Sequence, residues 1–243
     1  MAISYDAVST GTPSSNSISF SHTVGNGNFR LLVVAVTVSG KDTDIYCSSV
    51  KYNGVSLTKN KEQRSTDWRT GRRGYVGIWT LVNPPKGANT VLATLTGGTD
   101  SGSCGAISYF GVKQSSTVNA STSNEGNSDG TKNTYLTPTV SNSWVISGHI
   151  VRGDAIGCTY NQTARHTGGG SNSRSQDTNG AVSSQQNMRV IITSDAMNGY
   201  VNAAIAFSPH TTSIGSKDGL AFGSIEDLAG NTIETTESFN SLE

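Results

Sequence analysis

The sequence predicts an all-β protein, an antiparallel two-sheet β-sandwich of the jelly-roll-like kind with a polar C-terminal arm. Two observations carry that expectation. Apolar, β-branched runs recur at short intervals between turns rich in Gly, Pro and Asn, and no apolar stripe of helical period persists for a useful length. The clearest block covers residues 29–112. Residues 29–40 (FRLLVVAVTVSG) form a β-branched run closed by glycine. Residues 49–58 (SVKYNGVSLT) are two alternating segments hinged on Asn53-Gly54. That dipeptide suits a type I′ hairpin, because both central positions need positive φ. Residues 74–82 (GYVGIWTLV), the corner at 83–87 (NPPKG), residues 90–96 (TVLATLT) and residues 105–112 (GAISYFGV) complete the block. Further strands are expected at 3–8, 17–24, 133–140, 143–151, 188–193 and 199–207, making ten to twelve in all.

A chain of 243 residues fits one large all-β domain, here residues 1–209. Three connections read as long loops: the charged stretch 59–74, the Ser/Asn/Gly-rich stretch 120–132, and residues 163–180 around Gly168-Gly169-Gly170. Residues 210–243 lose the strand pattern and keep only isolated apolar residues, which suits an arm that orders against a neighbouring subunit.

Charged residues make up 14% of the chain, well below the ~25% typical of globular domains. Formal net charge is zero, which argues against nucleic-acid binding driven by phosphate neutralisation. The opening MAISYD has neither the basic nor the apolar segment of a secretory signal, and no apolar run is long enough to span a bilayer. The expectation is a protein made in the cytoplasm of its host with no membrane partner. Cys47, Cys104 and Cys158 form no Cys-x-x-Cys pair. Free, buried thiols are the favoured reading, with one disulfide and one free thiol as the alternative.

Signals for chemistry are sparse. His22, His149, His166 and His210 show no ligand-like spacing. His149 falls in an alternating strand and reads as a satisfied structural residue, whereas His166, beside Arg165 in a loop, reads as solvated. No Gly-x-Ser-x-Gly elbow occurs. The acids fall in turns (Asp42, Asp44, Asp67, Asp100, Asp129, Asp154, Asp177) or in the tail (Glu226, Asp227, Glu234, Glu237), and the strong strands hold none. That placement argues against the facing carboxylates of a glycosidase. Calcium is conceivable in the turns at 41–44 or 127–130, although neither matches a spaced-acid loop, and no cofactor is expected. Trp79 and Trp144 lie in strands and read as core. Residues 59–73 join basic side chains to Trp68.

Residues 50–58, 78–91 and 105–112, with the opening MAISYDAVS and the closing VNAAIAFSP, resemble a diffuse family of β-sandwich proteins found on phage and prophage virions, in environmental viral sequences and in some bacterial surface proteins. The resemblance covers residues 1–209. It implies a jelly-roll-like fold and carries no catalytic residues onto this chain. A neutral polar sandwich, no secretory signal, few acids in strands and a tail suited to reaching a neighbour point to a non-enzymatic function: a capsid decoration, head-fibre or tail-associated subunit, located in the virion, that assembles with itself and with other virion proteins. Contacts would come from Leu220, Phe222, Ile225 and Leu228 of the arm, adding a strand to a neighbour's sheet. The alternative is a lectin-like module that recognises a cell-surface glycan, with Trp68, Arg69, Arg72, Arg165 and His166 on the rim of its site.

Overall fold

A computed structural model describes residues 1–41, 45–65, 72–126, 132–152, 162–168, 173–184, 188–192, 199–211, 225–226 and 232–233. The chain divides into Met1–Thr211 and Thr212–Glu243. Among the described residues no helix occurs. The first unit begins with β1 (Ser4–Gly11), β2 (Ser17–Val24), β3 (Leu31–Gly40), β4 (Tyr46–Tyr52), β5 (Val55–Ser56) and β6 (Thr58–Arg64). Next come β7 (Arg73–Val82), β8 (Gly87–Thr96), β9 (Ser101–Phe110), β10 (Val118–Gly126) and β11 (Lys132–Leu136). It ends with β12 (Trp144–Val151), β13 (Thr163–Gly168), β14 (Ser173–Asp177), β15 (Met188–Ile192) and β16 (Tyr200–Phe207). The second unit shows one short pair, β17 (Ile225–Glu226) with β18 (Thr232–Ile233).

Among the described residues the first unit holds three larger antiparallel sheets, β1-β9-β3-β7-β6, β2-β8-β4-β5 and β10-β16-β12-β14-β13, and the two-stranded β11-β15 ribbon. The all-β, sandwich-like class expected from the sequence is present, with three larger sheets among the described residues. The physical reason lies in β3, whose ten residues are all buried. Leu32, Val34, Val36 and Val38 join Ile18, Val50, Tyr52, Val91 and Leu95 in a core shared with the β2-β8-β4-β5 sheet. Leu31 and Val33 point the other way, into a core with Ile146, Ile150, Val201, Ile205 and Phe207 of the third sheet. Alternation along one strand thus feeds two cores, so β3 reads as a continuous apolar run. The β11-β15 ribbon pairs Leu136 with Met188, and Leu136 packs on Val145, Ala204 and Ala206 of the third sheet's other face.

Local signals explain the turns. Asn53 and Gly54 adopt φ of 49° and 77°, and Tyr52 pairs with Val55, so the expected type I′ hairpin is present. The three expected loops are corrected. Residues 59–64 lie in β6, residues 118–126 form β10, and residues 163–177 contain the paired strands β13 and β14. All three regions are polar because β6, β10 and β13 are edge strands, where main-chain pairing on one side suffices and charge guards the open side. His210 belongs to the first unit: its amide donates to the Gly111 carbonyl at 2.7 Å and its ring stacks on Phe29.

Candidate functional site

The outward face of the β2-β8-β4-β5 sheet is built from alternate residues whose partners fill the first core. Cross-strand rows on this face read Ser17–Thr94–Ser49 and Ser19–Leu92–Lys51, with Ser21 opposite Thr90. Ser19, Ser21, Thr23, Thr90, Leu92, Thr94 and Lys51 are exposed, and Leu92 keeps 38% of its surface in water. Among these residues Lys51 holds the single charge. The face is therefore a hydroxyl-rich sheet surface with one apolar side chain near its middle.

Inside the unit, polar residues form ties between layers. In β1 the register shifts between Tyr5 and Ala7, so Asp6 sits on a β-bulge that re-aims its carboxylate. Asp6 Oδ2 accepts hydrogen bonds from the Ser108 hydroxyl at 2.6 Å and the Gly25 amide at 2.9 Å. Because Ser108 donates to the carboxylate, its oxygen is left to accept from His22 Nε2 at 3.2 Å. Neutral His22 then receives the Ser9 hydroxyl on Nδ1 at 3.0 Å. The resulting Ser–His–Ser–Asp string has the residue types of a nucleophilic relay. Its imidazole is 1% exposed, however, and burial pulls its pKa down to about 4 although Asp6 opposes the shift. A base that weak at neutral pH suits a structural tie better than general-base catalysis.

A second tie joins the first and third sheets. Asp177, fully buried, accepts Tyr109 O–H at 2.7 Å and Arg165 Nε–H at 2.8 Å on one oxygen, and the Asn179 amide at 3.0 Å on the other. The Arg165 guanidinium also covers the Tyr5 ring at 4.0 Å. Burial, followed by the Asp177 charge, drives the Tyr109 phenol well above its ordinary pKa. Asp177 was expected in a turn; it ends β14 and faces the core.

The proposed glycan rim does not assemble from its described members. Arg72 pairs with Asp100 at 3.0 Å, and Arg165 is committed to Asp177. His166, expected in solvent, is 3% exposed and packs on Gly105, where a Cβ would meet its ring at 2.9 Å. Trp68 and Arg69 lie outside the described residues, as do Leu220, Phe222 and Leu228. Ile225 lies in β17, and its side chain is likewise outside them. The calcium candidates fall mainly on residues 42–44 and 127–130, also outside. Cys47 and Cys104 are free and buried, and burial pushes the Cys47 thiol up to about 12. Cys158 lies outside the described residues. Trp79 and Trp144 are buried, as expected of core residues. A cleft of about 490 Å³ opens beside Trp144, lined also by Asn142, Ala181, Pro209 and His210. No sequence signal marked it, since its walls come from segments distant in the chain.

No family model matches the chain, and comparisons with curated proteins and with solved structures gave no match.

Proposed function

We propose that the protein is a non-enzymatic structural subunit of a phage-type virion, a decoration, head-fibre or tail-associated component that works by assembling with copies of itself and with other virion proteins. The hydroxyl-rich face of the β2-β8-β4-β5 sheet carries this reading. Hydroxyls rotate to new partners and Leu92 adds apolar area, so covering the face strips water from a single charge, Lys51. The nested pairing of β1 with β9, β2 with β8, β3 with β7 and β4 with β5 supports a jelly-roll winding for this part of the chain. Leu92→Glu places a carboxylate in the middle of the face without touching the core. It is expected to leave the urea midpoint within about 0.5 kcal/mol of the parent while breaking self-association in sedimentation. A variant that associates as the parent does would remove this face from the interface.

The cleft beside Trp144 favours one second reading, a lectin-like module. Its volume lies in the range of small-ligand sites, and Trp144, Asn142 and His210 all line it. Glycan-array binding that is lost in Asn142→Ala would support that reading over assembly.

A further inference from the structure

Three residues that neighbour one another across the third sheet carry orphaned polar atoms. Arg174 on β14 is paired with His149 on β12, and His149 with Asn202 on β16. They share the face turned away from the second core, since Ile146, Ile150, Val201 and Ala203 point into that core while Val145 and Ala204 pack on the opposite side. His149 and Asn202 are wholly buried, and Arg174 is half-buried. Arg174 Nε, His149 Nδ1 and Asn202 Oδ1 are all shielded from water without a hydrogen-bond partner.

The remaining atoms of the row are already engaged. His149 Nε2 meets the Ser147 hydroxyl at 2.8 Å, and Asn202 Nδ2 donates to Thr134 Oγ1 at 2.5 Å. The row thus keeps three polar atoms, one on each strand, with hydrogen-bonding capacity that no described neighbour uses. Charge gives the same indication. Among the described residues no carboxylate pairs with Arg174; the ion pairs there use Lys59, Arg64, Arg72 and Arg165. The Arg174 charge acts on both neighbouring imidazoles: His149 and His166 are held below their ordinary pKa first by burial and then by Arg174. The shielded Nε–H of Arg174 and the open ring nitrogen of His149 are thus left side by side on neighbouring strands, a donor pair that burial leaves costly until an acceptor meets it.

We propose that this row binds a small oxyanion, a carboxylate or a phosphate, held by Arg174 Nε–H and His149 Nδ1–H. The Ser147 hydroxyl turns its proton to His149 Nε2, which fixes the imidazole as the Nδ1–H donor. Asn202 Oδ1 receives a hydroxyl of the ligand or the water that accompanies it. Arginine suits this position because it stays charged when shielded and offers its donors in a fixed plane. The proposal stands independently of the assembly reading.

The test uses the full chain at constant ionic strength, titrated separately with inorganic phosphate, acetate and glucuronate. Thermal midpoint and the His149 ring signals in NMR are recorded together. A saturable rise of roughly 5–10 °C at a hundredfold excess over Kd, with His149 shifting in step, is expected for at least one anion. Response to acetate and glucuronate alone identifies a carboxylate site, and response to phosphate alone a phosphate site. Arg174→Gln should abolish the response while leaving the anion-free midpoint within a few degrees of the parent, because the residue is only half-buried. No saturable response to any of the three overturns the proposal, as does an unchanged response in Arg174→Gln.

Discussion

His22, His149 and His166 are all buried as neutral imidazoles, with pKa values pulled from 6.5 to about 4, about 3 and about 4. An unfolded chain takes up these protons near pH 6.5, whereas the folded chain refuses them until about pH 4 or below. The histidine contribution to stability is therefore complete above pH 6.5 and is lost as pH falls from there toward 4. Each histidine contributes about 1.4 kcal/mol per pH unit across that window. Urea unfolding at pH 7, 6 and 5 should show the midpoint falling at each step, and a flat profile would contradict the burial of these rings. His149 reads as structural from its alternating strand, and it is buried although its Nδ1 has no partner, whereas the burial of His22 and His166 was not legible from spacing. The cause of His166 burial is Gly105, on a different sheet and 61 positions earlier in the sequence, whose missing Cβ leaves room for the ring. Asp6 escaped notice because its role depends on a bulge, which adds one residue to a strand without changing its composition.

At the scale of elements, the polar ties determine which strands were readable. The apolar strands β3, β7, β9, β12 and β16 and the Asn53-Gly54 hairpin followed from residue type alone. The edge strands β6, β10 and β13 did not, because their partners supply the pairing and their own side chains need not be apolar. β13 and β14 are held to the first sheet through Asp177, Arg165 and Tyr109. Asp177→Asn leaves the Arg165 charge shielded and unpaired, and it is expected to cost about 3–5 kcal/mol in urea unfolding. A loss below about 1 kcal/mol would mean that the hairpin is not fastened by this carboxylate. The run in β3 did carry an unread signal: a two-layer sandwich calls for alternation along its strands, and ten consecutive buried residues call for cover on both faces.

For the molecule as a whole, composition had already indicated a neutral, weakly charged protein, and the fold places much of its polarity between layers and on one hydroxyl-rich sheet face. The arm expected at 210–243 begins two residues later by contact, since His210 is tied to Gly111 and Phe29 and the first unit closes at Thr211. A cut after Thr211 therefore removes the arm without unstitching the sheets. The central claim, that the protein acts by self-assembly, is tested most directly by the molar mass in solution of the full chain and of residues 1–211, measured by light scattering at matched concentration. The account predicts a multiple of 25.3 kDa for the full chain and a smaller assembly for a truncated form that retains its β-sheet circular dichroism. A full chain that stays at 25.3 kDa up to the highest soluble concentration would contradict it.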